Sequence, residues 1–431
     1  MLRVVYTTLL RLVLPVVALL LWWRGRRDPA RRVSLRERMG RGRPRQGPQP
    51  VWVHAVSVGE VQAAAGIVRL LRERDPNRPV LLTMATATGR QRAKELYRDP
   101  MVELRFAPFD LPGAARRFLK RERPCLAVLL ETELWPNLLF ACSRQKVPVA
   151  LVSARLSARS QRRYGSFAPK LIRRTLRLLV RIGAQSDDDA ARFLSLGADP
   201  SAVRVTGNVK FDFSLPADLD ARVTALRERW IGGRRAWVAG STHAGEESVL
   251  IEAQRLLAGF SGSQDGSPLL VMAPRHPERF ETVAQGLTKA GLQFVRRSDA
   301  GAGVTDATQV LLLDTLGELL AFYAMGEVAY VGGSLVPIGG HNLLEPALLA
   351  KPVMGGPYFS NSPEAADRLK ACGALRIVHD AGELSATLAA WLADPAEAAR
   401  QGQAGRVAVE SNRGAAARSL ALLEPWLPQL L

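Results

Sequence analysis

The sequence predicts an α/β protein of two Rossmann-like domains, preceded by an apolar N-terminal helix. Three observations predict it. After Pro50, short β-branched runs alternate with helical stretches, as they do in parallel sheets. A polar stretch holding Pro216, Asp218, Asp220 and Gly232-Gly233 divides that alternation into two series. The segment from Val4 to Trp23 is apolar apart from Tyr6, two threonines and Arg11.

About 20 apolar residues suffice to cross a bilayer as a helix. Trp22-Trp23 suits the interface, and Arg24, Arg26, Arg27, Arg31 and Arg32 would hold the following chain on the cytoplasmic side. Residues 1–23 are therefore expected to anchor the protein in the inner membrane, with 24–50, rich in Arg, Pro and Gly, as a basic tether along anionic lipid. Arg11 keeps a second arrangement open, a helix lying in the interface with that side chain snorkelling, and a core helix is a third. Trp-Trp-Arg-Gly-Arg-Arg is a poor cleavage site for a signal peptide.

The N-terminal domain, 51–215, opens with the strand 51–56 and a helix from about Glu60 to Arg74, and continues with strands at 79–85, 103–107, 125–131, 148–153, 179–184 and 202–206. A linker is expected at 216–235. The C-terminal domain, 236–431, carries strands at 236–240, 268–273, 310–313, 328–332 and 352–355, and its last helices are free to pack back on the N-terminal domain. Two such domains leave a cleft at the carboxyl ends of their strands, where open α/β sheets bind ligands.

With 47% hydrophobic and 23% charged residues, the 431-residue chain can bury sizeable cores, which excludes disorder and small disulfide scaffolds. Its net charge of +19 is localised: residues 1–50 hold 12 arginines and 2 acids, 113–181 hold 16 basic and 3 acidic residues, and 182–431 hold 22 basic and 28 acidic. Two parts of opposite charge suggest two tasks, one facing anionic partners. Cys125, Cys142 and Cys372 show no metal or redox spacing and fit a reducing cytoplasm.

The strand-to-helix loops carry the candidate chemistry. In Ser57-Val58-Gly59-Glu60, Glu60 is either a helix-end acid stabilised by the dipole or a general base that deprotonates a hydroxyl. Glu131 and Glu133, at the end of an apolar strand, face the cleft or pair with neighbouring arginines. Lys210, in Thr206-Gly207-Asn208-Val209-Lys210-Phe211-Asp212, neutralises a phosphate or developing charge, or pairs with Asp212. Gly240-Ser241-Thr242-His243 offers small residues where a phosphate could meet backbone N–H groups, and Pro274-Arg275-His276-Pro277 sets a rigid arginine for a phosphate or base edge. The glycine-rich run Gly332–Pro346 is expected to open a helix as an anion site, with Glu345 in reach of ribose hydroxyls. It lacks both the Gly-Lys-Ser/Thr of a P-loop and Gly-x-Gly-x-x-Gly, which favours a sugar nucleotide over ATP or NAD. His54, His243, His276, His341 and His379 show no zinc spacing, so neither a metal nor a cofactor is expected.

Taken together, Ser57-Val58-Gly59-Glu60, Glu131-Thr132-Glu133-Leu134-Trp135-Pro136-Asn137, Ala154-Arg155-Leu156-Ser157, Thr242-His243 with Glu246-Glu247, Pro274-Arg275-His276-Pro277-Glu278-Arg279-Phe280 and Gly339-Gly340-His341-Asn342 closely resemble the bacterial 3-deoxy-D-manno-octulosonic acid (Kdo) transferases along nearly the whole chain. The resemblance implies a GT-B glycosyltransferase that inverts the anomeric centre, needs no metal, and moves Kdo from CMP-Kdo to a lipid A precursor (lipid IVA) in lipopolysaccharide synthesis at the cytoplasmic side of the inner membrane. It implies Glu60 as general base, and Glu131 and Lys210 as groups that stabilise the transition state. It also implies Pro274, Arg275, Leu316, Gly317, Glu318, Asn342, Leu343, Leu344 and Glu345 as the CMP-binding segments. The basic part would then meet anionic lipid and acceptor phosphates, with Arg155, Arg159, Arg162 and Arg163 as candidates unless they form only a solvated face. A nucleic-acid binder is the reading a pI near 10.8 suggests, but aromatics are only 6% and are not interleaved with the basic runs. The nearer rival is another GT-B enzyme, a UDP-sugar transferase or epimerase.

Overall fold

The computed structural model describes residues 2–27, 35–259 and 267–430, and two parallel seven-stranded sheets organise them. One unit comprises Met1–Phe213 with Asn412–Leu431, the other Ser214–Ser411.

In the first unit the strands are β1 Val51–His54, β2 Val80–Met84, β3 Val102–Phe106, β4 Leu126–Leu130, β5 Val149–Ala154, β6 Arg181–Ala184 and β7 Val203–Val205, in the order β3-β2-β1-β4-β5-β6-β7. Helices cover both faces, so β1, β2, β4 and β5 are buried throughout and read as continuous apolar runs. Alternation sends Val51, Val53 and Ala55 into one layer with Val61 and Ile67, and Trp52 into the other with Leu81, Phe118 and Leu129. The helix Ala415–Leu423 completes the first layer through Ala415, Ala416 and Leu423. Strand order reverses between β1 and β4, which makes the loops after these two strands the topological switch point.

Residues 35–50 are part of this unit rather than a tether. The guanidinium of Arg38 is buried over the rings of Phe106 and Phe109, at 4.9 and 5.5 Å, and donates to the carbonyl of Ala85. Arg45 grips Glu103 through two bonds of 2.6 and 2.8 Å. The expectation counted cations without their partners; these arginines are spent on carboxylates, carbonyls and aromatic faces inside the fold. The tether's residues 28–34 lie outside the described residues.

The helix Leu2–Arg27 contains, from Leu2 to Leu20, a segment long and apolar enough to cross a membrane, with 6% of it buried. Its first turns dock on the unit: Tyr6 donates to Asp110 at 2.8 Å, Thr7 to Asn137 at 3.1 Å, and Arg3 lies 4.7 Å from the centre of the Phe140 ring.

In the second unit the strands are β8 Ala236–Thr242, β9 Leu269–Pro274, β10 Phe294–Arg296, β11 Val310–Leu312, β12 Val328–Val331, β13 Val353–Gly355 and β14 Leu375–Ile377, in the order β10-β11-β9-β8-β12-β13-β14. Here the order reverses between β8 and β12. The edge strands β10 and β14 fall outside the expected set, because three residues interrupted or ended by arginine give no readable period. Most of the expected linker, 216–235, is the helix Leu219–Trp230, which groups with this unit. Leu219, Trp230 and Ile231 are buried there, with Arg297 over the Trp230 ring at 4.7 Å. Its charged surface hid a buried edge of three apolar residues.

Candidate active site

The first unit gathers acids at its switch point. Ser57 caps the helix Val58–Ala63: its Oγ accepts from the Glu60 N–H at 3.4 Å, while Glu60 Oε2 accepts from the Ser57 N–H at 2.6 Å. Glu60 is 5% exposed, and its Oε1 is buried without a hydrogen-bond partner. Burial pushes its pKa above the ordinary carboxylate value; the Ser57 bonds oppose this, the charge of Glu131 adds to it, and Lys210 counters. A carboxylate raised this way, with one lone-pair oxygen uncommitted, can accept a hydroxyl proton.

Glu131 follows β4 in the left-handed region, φ 56°, a conformation that costs a non-glycine residue about 1–3 kcal/mol. That turn aims its carboxylate at Lys210 Nζ, 2.6 Å away. Lys210 is held from behind: Asn208 Oδ1 accepts its N–H at 3.0 Å, Ser153 Oγ accepts the Val209 N–H at 3.3 Å, and Gln185 donates to the Ser153 carbonyl at 2.9 Å. Asp212, the alternative partner, instead accepts from the N–H groups of Gly414 and Ala416 at the start of the C-terminal helix. The structure thus brings Glu60, Glu131 and Lys210 together.

Glu133 joins them. Burial first and the Glu60 charge second raise its pKa to about 7, against a 2.6 Å bond from Trp135 Nε1. Trp135 in turn stands edge-on to His54, with centroids 4.9 Å apart. His54 was visible in sequence only as a strand residue. It is fully buried, its Nδ1 lies 2.8 Å from Thr83 Oγ1, and burial lowers its pKa to about 4, so it is a neutral prop.

At the switch point of the second unit the central group is Glu246, which sequence reasoning placed in a motif without a role. Its fully buried carboxylate accepts from the N–H groups of His243, Gly333, Ser334 and Leu335 and from the Tyr330 hydroxyl, at 2.7 to 2.9 Å. The loops after β8 and β12 are therefore tied together by an internal anion. This corrects the expected anion site: three N–H groups of the glycine-rich loop are already occupied, and the helix it opens, Leu344–Leu348, has only 5 residues. Glu345 lies in its first turn and accepts from Asn342 Nδ2 at 3.0 Å, with Leu343 and Leu344 buried behind. Leu316 is exposed, Gly317 takes φ 84° with its carbonyl on Arg222, and Glu318 is held by Arg297 at 2.7 Å and by Thr315. Pro274 is buried at the end of β9, and Arg275 beyond it is exposed. Among the described residues, no group of three His, Cys, Asp or Glu side chains is arranged to hold a metal ion.

Two Rossmann-like sheets with their polar loops at switch points define a protein of the GT-B class. In keeping with this, a UDP-GlcNAc 2-epimerase from Neisseria meningitidis, solved with UDP-GlcNAc bound, shares the fold at a TM-score of 0.59 and 15% identity, over 88% of this chain and 100% of that one. The family described as 3-deoxy-D-manno-octulosonic-acid transferase (kdotransferase) matches residues 33–213. Over 99% of its length this chain is 40% identical to the 3-deoxy-D-manno-octulosonic acid transferase of Bordetella pertussis and 37% identical to that of Haemophilus influenzae, covering 99% of each. The chain belongs to the 3-deoxy-D-manno-octulosonic acid transferases, and is a glycosyltransferase of lipopolysaccharide synthesis.

Proposed function

We propose that the enzyme transfers Kdo from CMP-Kdo to a primary hydroxyl of a lipid A precursor, lipid IVA, with inversion. Glu60 Oε1 takes the hydroxyl proton as the acceptor oxygen attacks the anomeric carbon opposite the departing phosphate. The buried, uncommitted Oε1 carries this reading. As the Kdo–phosphate bond breaks, positive charge develops on the sugar and negative charge on the phosphate, and the paired Glu131 and Lys210, 2.6 Å apart, stabilise that transition state. The second unit takes the nucleotide through Pro274-Arg275, Leu316–Glu318 and Asn342–Glu345, without metal or cofactor. The helix Leu2–Arg27 anchors the protein in the inner membrane with both units on the cytoplasmic side. The helix Ala158–Phe167, which buries none of its residues, offers Arg159, Arg162 and Arg163 to acceptor phosphates and anionic lipid.

Incubation of the purified chain with lipid IVA and CMP-Kdo, or with UDP sugars instead, tests the reading by mass spectrometry of the lipid. A gain of one or more Kdo units from CMP-Kdo alone is expected. Transfer from a UDP sugar, with CMP-Kdo left intact, would overturn it.

A further inference from the structure

Three of the four histidines of the second unit meet at one place, a juxtaposition hidden by their separation in sequence. His243 follows β8, His276 follows β9 and His341 closes the glycine-rich loop after β12, so three adjacent strands deliver them to one end of the sheet. Nε2 of His243 lies 2.7 Å from Nε2 of His341, with the rings within 6° of parallel. The His276 ring stands edge-on to His243, with centroids 5.2 Å apart. Gly333 forms the floor beneath the pair: a Cβ there would come within 3.0 Å of the His341 ring.

Two imidazole nitrogens at this distance share a proton, one donating and the other accepting. One metal ion holding both at tetrahedral angles would set them about 3.3 Å apart. The geometry therefore suits proton sharing rather than coordination. The charged groups facing the pair are Arg275, Arg279 and His276 from the β9 loop, and Glu246 from the β8 loop. Burial foremost, then the His243 ring, then Arg275 and His276, hold His341 down to about 4; burial likewise lowers His243, with Glu246 opposing. Additional positive charge is unfavourable there until an anion arrives, and the exposed Arg275 and His276 open the cluster to solvent.

We propose that His243, His276 and His341, together with Arg275, seat the phosphate of the donor nucleotide, and that the His243–His341 pair takes up one proton from solvent when the phosphate binds. This rests on the reading of CMP-Kdo as donor. During transfer, the electron pair of the breaking Kdo–phosphate bond passes to the phosphate oxygen, which gains one negative charge. The acceptor hydroxyl proton goes to Glu60, and the imidazole pair keeps its own proton, which offsets the new charge.

Calorimetric titration of the full chain with CMP, in two buffers of different ionisation enthalpy at about pH 7.5, counts the protons exchanged. The native protein should take up about one proton per CMP, whereas His341→Gln and, separately, His243→Gln should take up none and bind CMP about tenfold more weakly. Native binding without uptake would overturn the assignment and leave the CMP donor standing. Uptake retained in both variants would place the proton on His276 or on the nucleotide phosphate rather than on the His243–His341 pair and would equally overturn it. If CMP does not bind at all, the donor reading falls as well.

Discussion

Replacing Glu246 by glutamine tests how the loops at the end of the second sheet are held. The carboxylate receives five donors, and glutamine keeps its shape while turning one oxygen into an N–H₂ group. In the better orientation the amide nitrogen replaces Oε2, facing the N–H groups of His243 and Gly333 and losing two bonds rather than three. Hydrogen bonds to a charged group contribute about 1.5–3 kcal/mol each, so stability should fall by about 3–6 kcal/mol, with two buried donors left facing a donor. Urea unfolding of the full chain measures the change, and hydrogen exchange of β8 and β12 amides localises it to this sheet. A loss below about 1 kcal/mol, with exchange unchanged, would refute the account of Glu246 as the tie between the two loops.

Two further outcomes follow from the first unit. The Glu131 charge disfavours the charged form of Glu60, so Glu131→Gln, which also leaves the Lys210 charge to act on Glu60, should let Glu60 lose its proton at lower pH. The acid limb of the kcat/KM profile should then move to lower pH; no movement, or movement upward, would contradict the coupling. Arg45→Ala should cost about 1.5–3 kcal/mol in urea unfolding, because it removes the bidentate, largely buried partner of Glu103, which Arg105 and, at Glu122, Arg121 replace only in part. Unaltered stability, with weaker binding to anionic vesicles, would restore residues 35–50 as a tether.

The alternation of apolar runs made the positions of the central strands legible, since strands buried on both faces are continuously apolar and their loops punctuate them. Glu60, Glu131 and Lys210 were legible as strand-end residues, because a parallel sheet sends successive strand ends to one edge. The choice between partners for Lys210 was not, since it depends on a C-terminal helix start that captures Asp212. Composition misled at 35–50 and 216–235 for one reason: the number of charged residues says nothing of whether each has a buried partner, as Arg45 and Arg38 do, or covers a buried tryptophan, as Arg297 covers Trp230. Glu246 and the histidine cluster could not be read from spacing, because they meet across strands that are neighbours only in space.

The role of Glu60 is the point on which the mechanism turns. Single-turnover transfer from CMP-Kdo to lipid IVA, measured for the native chain and for Glu60→Ala with CMP affinity taken in parallel, addresses it directly. Loss of the base should slow transfer by about 10²–10⁴-fold and leave CMP binding unchanged, because the segments proposed to hold CMP belong to the other unit. A variant that transfers Kdo within about threefold of the native rate would contradict the assignment.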